Sequence, residues 1–343
     1  MQSELILTKL PSEMLNSDRG ETTFALESFS RGNTQGNFQS YAGKIRHLQS
    51  KNIDENFSGV IDLSLSFASI NTVKYIAREE ESSFTFNLEK FYLDYSDSLF
   101  NMNQTLRLGI QGTQTKTLAG SSVIGPAVSL FLKKYDHTIS SGIFSIPAFR
   151  KFYISSQAQT KTSQLWSSSY QFESKLSETL SVEGALAYDY FTNLGPTNSF
   201  QSGLRGNSTI GNEITSEFLY DYSIVSTRAS LTYQSKNWSL SPYLMAGENQ
   251  GAYSFENKFY QVGLIANTEK LSGEFSFINI QKNSLIAIYT PSYIDATDIN
   301  GQIIAAAYSF ENKMKLTAQL GNFSRLDNAE SFQSSTLNLS LGI

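Results

Sequence analysis

The sequence contains no cysteine, and only six prolines and two histidines occur among its 343 residues. Without cysteine, neither a disulfide framework nor a thiolate metal site can form. Two histidines and no D-x-D-x-D-G calcium loop give no support to metal binding, so we expect neither a metal nor a cofactor. The scarcity of proline suits long ladders of backbone hydrogen bonds, because proline cannot donate to them.

Charge and long apolar runs are scarce as well. Charged residues make up 17% of the chain, below the roughly 25% of soluble domains, and no stretch approaches the roughly 18 consecutive apolar residues of a membrane-spanning helix. The net charge is −5 with no basic stripe, which argues against a nucleic-acid partner. The first residues, MQSELILTKL, do not form a signal peptide, so an exported protein would have had its signal peptide removed.

Apolar and polar residues alternate along most of the chain. In 179–191, Leu180, Val182 and Leu186 share one face, while Ser181 and Glu183 share the other. The same alternation occurs in 105–111 and 337–343. A period of two residues predicts β-strands with one apolar face.

The length of these segments separates a membrane barrel from a soluble sandwich. They run about ten to fourteen residues, enough for a tilted strand to cross a bilayer, whereas strands of soluble sheets average about five or six. Aromatic residues cluster near segment ends, as in the girdles of outer-membrane barrels. The other face carries Ser, Thr, Asn and Gln, which a water-filled lumen tolerates better than a packed core. The pattern therefore predicts an all-β, transmembrane antiparallel barrel with a polar lumen in the cell outer membrane.

The chain divides into sixteen such segments, with eighteen or fourteen as alternatives. They lie near 23–31, 38–48, 58–68, 82–95, 103–112, 126–135, 137–147, 163–176, 179–191, 213–235, 238–248, 255–268, 271–282, 301–311, 313–323 and 334–343. Residues 1–22 lack strong alternation and are predicted to be an N-terminal periplasmic tail, and 23–343 to be a single barrel.

The segment 213–235 decides the count, because the parity of its apolar residues switches at Ser223. Interpreting it as one strand with a bulge near Ser223 gives an even strand number, as bacterial barrels have. The tight turns at 136, 177–178, 236–237, 269–270 and 312 then fall at one end of the barrel. The connections 69–81, 113–125, 148–162, 192–212, 283–300 and 324–333 fall at the other, as short periplasmic turns and longer outer loops should.

Two stretches resemble a known family. LEKFYLDYSDSLFNMNQTLRLGIQGTQTKTLAGSSVIGP, residues 88–126, and FALESFSRGNTQGN, residues 24–37, are similar to porins related to the OprD-type substrate channels and the campylobacter major outer-membrane proteins. The resemblance implies a Gram-negative porin in which the loop after the fifth strand folds into the lumen. Relatives of this type usually have eighteen strands and end in an aromatic residue, whereas this chain is predicted to have sixteen and ends in Ile343.

Candidate pore residues follow from this resemblance and from the faces of the strands. Loop 113–125 contains Lys116, Thr117, Ser121 and Ser122, and is predicted to constrict the lumen, an ordinary surface loop being the alternative. Lumen-facing basic candidates are Lys44, Arg46, Arg107 and Arg228, and facing acids are Asp62, Glu89, Glu183 and Glu274. A transverse field between them would orient solutes and filter ions; alternatively, the charges solvate the lumen in mixed pairs.

These features predict a passive diffusion channel for small hydrophilic solutes and ions. Its expected partners are outer-membrane lipid and lipopolysaccharide, with a homotrimer expected by analogy with other sixteen-stranded porins. The alternatives are a barrel without an open pore, serving adhesion or structure, and a barrel lipid hydrolase. Against hydrolysis, His137 and Ser140 are three residues apart, which places them on opposite faces of a strand.

Overall fold

A computed structural model describes residues 19–33, 36–73, 81–99, 102–113, 115–119, 123–146, 162–212, 215–291, 294, 296–311, 313–327 and 330–342. These residues form a closed antiparallel barrel of sixteen strands, as predicted. None of the helices in these ranges has the length and apolar character required to span a membrane.

Eighteen strands are numbered along the chain, of which β10 and β11 lie outside the barrel. The strands are β1 (Arg19–Asn33), β2 (Gly36–Asn52), β3 (Phe57–Val73), β4 (Glu81–Leu99), β5 (Met102–Gly112), β6 (Ile124–Lys134), β7 (His137–Ile146), β8 (Ser163–Lys175), β9 (Leu180–Thr192), β10 (Thr209–Ile210), β11 (Glu217–Phe218), β12 (Tyr222–Gln234), β13 (Trp238–Asn249), β14 (Lys258–Thr268), β15 (Leu271–Ile280), β16 (Ile299–Ser309), β17 (Met314–Arg325) and β18 (Ser331–Gly342). A helix α1 spans Pro196–Gly203, and a turn of 3-10 helix spans Ala287–Tyr289.

Each barrel strand pairs with its neighbours in the chain, except that β9 pairs with β12 and β1 closes the barrel on β18. Because successive strands alternate in direction, all five predicted tight turns lie at one end, here called the turn end. The predicted long connections lie at the other, the loop end. Strands β1 and β2 also meet at the loop end, where Asn33 pairs with Gly36.

The two faces of the strands differ as the alternation predicted. On β8 the inward side chains Ser163, Ser167 and Gln171 are buried, while the outward Trp166 and Tyr170 are exposed. Along β13 to β15 the outward residues are large and apolar, and they include Leu244, Val262, Leu264, Phe275 and Phe277. The barrel thus presents an apolar outer surface with aromatic residues near the strand ends, which suits contact with lipid.

The structure corrects the predicted strand 213–235. The barrel strand begins only at Tyr222, and Glu217–Phe218 instead pairs with Thr209–Ile210 in a separate hairpin. The parity switch at Ser223 therefore marks the point where the chain enters the barrel wall, and no bulge is needed to explain it. The count of sixteen stands because this segment still contributes one strand.

A bulge occurs instead between β3 and β4. Asp62 pairs with Lys90 and Leu63 with Leu88, so Glu89 is the extra residue of the bulge. Because the bulge shifts the alternation by one residue, Lys90 shares the inner face with Asp94, and the side chain of Glu89 lies outside the described part of the structure. At the N-terminus, β1 already begins at Arg19, so the last four residues of the predicted tail 1–22 belong to the barrel. Residues 1–18 lie outside the described part of the chain.

Much of the core lies inside the barrel at its loop end. The described residues of 194–221 and 281–298, here called the cap, pack with the inner faces of the surrounding strands. Leu285, Ile286, Ile288, Tyr289 and Ile294 of the cap are almost completely buried. The segment 285–289, predicted to be part of an outer loop, therefore folds inward, because its apolar residues pack on inward-facing apolar residues of the wall.

Candidate pore lining

The loop after β5 reaches across the inside of the barrel. Lys116 Nζ donates to Glu183 Oε1 of β9 at 2.7 Å, and Ser226 Oγ of β12 donates to Thr117 Oγ1 at 2.9 Å. Leu118 and Ala119 are buried in the core that the cap also joins. The predicted candidates Lys116 and Thr117 thus contact the inner faces of β9 and β12, whereas Ser121 and Ser122 lie outside the described residues.

Lys116 lies beside a pair of like charges. Glu173 of β8 is directly opposite Glu183 of β9 in the strand register, with both on the inner face. Two carboxylates in such positions repel each other. The ammonium group of Lys116 offsets this repulsion, and the Lys116 and Glu183 side chains keep 19% and 27% of their surface exposed.

The wall from β2 to β5 carries two arginine–aspartate pairs. Arg46 of β2 donates to both carboxylate oxygens of Asp62 on β3, at 2.7 and 2.5 Å. Arg107 of β5 donates to both oxygens of Asp94 on β4, at 2.7 and 2.8 Å. Such bidentate pairs combine charge with fixed geometry, so each arginine is held in one orientation.

Aromatic rings restrict Arg107 further. Its guanidinium carbon lies 3.9 Å from the ring centroid of Tyr92 and 5.0 Å from that of Phe131. Both the ion pair and the ring contacts favour the position that the side chain occupies. Arg107 thus presents a fixed positive group with 17% of its side chain exposed.

Two further basic residues lie on this wall. Lys44 shares the inner face of β2 with Arg46 and is 6% exposed. Lys90 of β4 is opposite Asp62 of β3 and is partly buried. The prediction missed Lys90 because nothing in the sequence locates the bulge at Glu89.

Arg228 and Glu274 both contact Tyr243, which was not among the predicted pore residues. The Arg228 guanidinium lies 5.1 Å from the ring centroid of Tyr243, and Tyr243 Oη donates to Glu274 Oε1 at 2.5 Å. Gln261 Nε2 donates to Tyr243 Oη at 2.7 Å. Tyr243 occupies an inward position of β13, which the alternation of its strand could have revealed.

The predicted charges are therefore mixed in sign around the barrel. Lys116 on the loop meets Glu183 on the wall, and each of Arg46 and Arg107 meets an aspartate of the adjacent strand. Among the described residues the loop contributes a base and β9 an acid. This arrangement corresponds to the alternative of mixed pairs, in which most of the charge is locally balanced.

His137 and Ser140, the two residues considered for a hydrolase, lie on opposite faces of β7. His137 Nδ1 is 2.7 Å from Tyr170 Oη on the outer face, and the two rings stack. Ser140 lies on the inner face, where its hydroxyl is 2.7 Å from that of Ser169. The described ranges also contain no group of three or more His, Cys, Asp or Glu residues that could hold a metal ion.

No protein-family model matches the chain, and no characterised protein matches its sequence. Solved structures, by contrast, share its architecture over almost its full length. The high-pH structure of Pseudomonas putida OprB is similar with a TM-score of 0.58 at 11% identity, covering 96% of each chain. Salmonella typhi OmpF in complex with daunomycin has a TM-score of 0.53 at 12% identity, covering 95% of this chain and 98% of that one.

The OprD-type group is also represented among the similar structures. Pseudomonas aeruginosa OpdQ has a TM-score of 0.52 at 8% identity, covering 96% of this chain and 99% of that one. The predicted resemblance to OprD-type porins is thus confirmed for the fold, which is shared equally with OmpF and OprB. At these identities the likeness shows the fold of the chain, a porin-type closed β-barrel.

Proposed function

We propose that the chain is an outer-membrane porin that passes small hydrophilic solutes and ions down their gradients. The observation that carries the proposal is a closed barrel with an apolar outer face and partly exposed inward charges. Water-exposed Arg46, Arg107, Lys116 and Glu183 inside such a wall are what an aqueous path requires. The structural neighbours are outer-membrane porins, which supports the same conclusion.

The loop after β5 is the proposed constriction. Lys116, Thr117, Ser121 and Ser122 belong to it, and Lys44, Arg46, Arg107, Arg228 and Glu183 line the path that it narrows. The proposal includes no chemical step, no cofactor and no metal. His137 and Ser140 lie on opposite faces of β7, which supports a channel over a hydrolase.

The environment and assembly of the protein follow from the same proposal. Its outward leucine, valine and phenylalanine side chains would contact outer-membrane lipid and lipopolysaccharide. A homotrimer is the proposed assembly, by analogy with porins of this strand number. Cross-linking of the refolded protein in detergent tests the assembly, with a ladder ending at three subunits as the expected result.

Single-channel recording in a planar bilayer, under asymmetric potassium chloride, tests the channel itself. We expect stepwise conductance with a defined reversal potential. A second candidate function, a barrel without an open pore, is favoured by the buried cap at the loop end. If the protein is folded and heat-modifiable but the bilayer stays silent, the closed barrel replaces the porin.

A further inference from the structure

The cap is a packed unit and not a set of loose loops. Tyr289 stacks on Phe191 of β9 with ring centroids 5.6 Å apart and planes 7° from parallel. Its apolar residues share one buried core with inward side chains from eleven barrel strands. These wall residues are Ala127, Phe144, Ile146, Leu165, Phe191, Tyr222, Ile224, Met245, Phe259, Ile278, Ile280, Ile299, Ile303, Phe323 and Phe332.

A single asparagine joins the two parts of the cap. Asn207 follows α1 and is 4% exposed. Its Nδ2 lies 2.8 Å from the carbonyl of Lys282, 2.7 Å from that of Leu285 and 2.9 Å from Tyr222 Oη. Its Oδ1 accepts the backbone N–H of Ala287 at 2.8 Å. The side-chain nitrogen and oxygen of Asn207 therefore both bind segment 282–287, and the nitrogen also binds Tyr222 of the barrel wall.

Other contacts reinforce the same junction. Asn283 Oδ1 accepts the N–H of Ser208 at 2.9 Å, and Asn249 Nδ2 donates to the carbonyl of Asn283 at 2.9 Å. Gly206 has φ of 122°, and a Cβ there would lie 2.4 Å from the carbonyl oxygen of Thr297. Buried amides with satisfied partners specify one arrangement, because every alternative leaves polar groups without hydrogen bonds.

The cap packs against the loop-end part of strands β6 to β9 and β12 to β18, which contribute the wall residues of its buried core. Nearer the middle of the β2–β5 wall, Arg46 and Arg107 keep 18% and 17% of their side chains exposed. The loop end next to β6 to β18 is therefore filled by folded protein, while the arginines of the β2–β5 wall stay partly exposed.

We propose that the cap is a fixed filler that narrows the permeation path at the loop end, and that Asn207 is the positioning residue that sets the width of this path. The inference rests on the proposed function, since a width matters only for a conducting pore. Asn207 acts through segment 282–287 and does not itself meet the solute. Releasing that segment from Asn207 should widen the path at the loop end.

The first experiment is single-channel conductance of Asn207→Ala. Because conductance follows the cross-section of the aqueous path, we expect an increase of roughly 1.5-fold or more with additional open-channel noise. Asn207→Ser retains one donor and one acceptor and should give an intermediate value. Asn267→Ala is the matched control, because Asn267 donates only to Ser239 near the turn end, and its conductance should equal that of the unmodified protein.

A cysteine probe tests the position of the cap independently of conductance. The chain contains no cysteine, so Ile286→Cys, at a site that is 2% exposed, would provide its sole thiol. A membrane-impermeant maleimide should fail to label it in the otherwise unmodified protein and should label it when Asn207→Ala is added. If Asn207→Ala does not refold, Asn283→Ala removes the neighbouring contact to Ser208 and takes its place.

The possible results separate the two proposals. Unchanged conductance together with a protected thiol in the Asn207→Ala protein overturns the positioning role of Asn207. Rapid labelling of Ile286→Cys with Asn207 intact overturns the packed cap. If the unmodified protein does not conduct, the porin proposal fails, while the labelling result still decides whether Asn207 holds the cap.

Discussion

Two regions of the same barrel wall are stabilised in different ways. Strands β2 to β5 carry inward ion pairs, with Arg46 on Asp62 and Arg107 on Asp94. Strands β12 to β16 carry inward apolar residues such as Ile224, Ile278 and Ile303, which pack on the cap. The outer faces of both regions are alike, because both carry exposed apolar residues. The inner faces differ because one carries partly exposed ion pairs and the other packs against the cap.

This difference implies distinct responses to mutation. An ion pair on the first region restricts two side chains but leaves the space beside them accessible. A buried isoleucine in the second region fills space that would otherwise be a cavity. Removing a charge should therefore affect the barrel and its conductance, whereas removing an apolar side chain should affect mainly the cap. Four predictions test this contrast, in decreasing order of the expected effect.

Asp94→Ala should have the largest effect, on the β2–β5 wall. It leaves Arg107 largely buried without its counter-ion, which costs about 4 kcal/mol of unfolding free energy for a buried pair. Urea unfolding of the refolded barrel in detergent measures the loss. The double variant Asp94→Ala with Arg107→Met should recover most of it, and equal losses in both proteins would show that the pair is not the cause.

Ile280→Ala tests the capped wall, where Ile280 is fully buried. The lost contacts and the resulting cavity should cost about 3 kcal/mol. We expect the cap to become accessible to protease and the conductance to rise, as it should in Asn207→Ala. Leu264→Ala on the lipid-facing side of β14 is the control, and equal protease sensitivity of the two variants would contradict a core specific to the cap.

Lys116→Glu tests the proposed constriction. It places a third carboxylate beside Glu173 and Glu183, which costs about 1 kcal/mol through repulsion and should shift the reversal potential toward cation selectivity. Lys236→Glu makes the same charge change in an exposed turn and should leave the reversal potential almost unchanged. Equal shifts in the two variants would show that the effect comes from net charge and not from the loop.

Asp298→Asn should have the smallest effect, at the edge of the cap. Burial, with the negative charge of Asp327, raises the pKa of Asp298 above its ordinary value of 3.8. A raised folded-state pKa favours the neutral form, so the ionised carboxylate destabilises the fold once the pH exceeds the folded-state pKa. The variant should melt at a slightly higher temperature near pH 7, and no difference should remain well below pH 3.8. An advantage that is equal at both pH values would exclude ionisation as its cause.

The barrel could be predicted because each strand carries its own signal. Alternation in segments such as 179–191 and 105–111 depends only on one face meeting lipid, and this holds for every strand of the wall. The tight turns can also be located from the sequence, since short polar stretches interrupt the alternation of the strands. The strand count and the two ends of the barrel follow from these local features.

The candidate site could be predicted only in part. Glu183, Arg107 and Arg228 lie on the inner face, as parity predicted, and Lys116 lies in the loop that the family resemblance selected; their role in a pore stays a prediction. Asp94 and Tyr243 were not predicted as partners, because a pairing depends on the register between two strands, which alternation within one strand does not give. Lys90 was missed for a related reason, because a bulge changes the parity and no residue in the sequence marks it.

The buried cap also has a pattern of its own in the sequence. Residues 285–289 read LIAIY, an apolar run unusual for an outer loop. In 275–280, FSFINI, apolar residues occur at both parities, with Phe275 and Phe277 outward and Ile278 and Ile280 inward. Apolar residues on both faces indicate a strand covered on both sides. Together the two features could have predicted a buried segment inside the barrel.

A repeated heptapeptide shows that local sequence alone does not determine local structure. AYSFENK occurs at 252–258 and again at 307–313. In the first copy Tyr253 and Phe255 lie in a loop-end turn and are 61% and 74% exposed. In the second, Tyr308 lies within β16 at the turn end, paired with Leu271 and Leu316. Identical residues adopt different structures because only the second copy has strands on both sides at Tyr308.

The sequence by itself determined the class of fold, the number of barrel strands and, away from the bulge, the face on which the strand side chains lie. These properties depend on the two-residue period of a strand and on the contrast between lipid and the barrel interior. Only the tertiary structure decided which charges pair, where the bulge occurs and which loops turn inward. These depend on contacts between residues far apart in the chain, such as Lys116 with Glu183 or Asn207 with Leu285, and no local pattern encodes them.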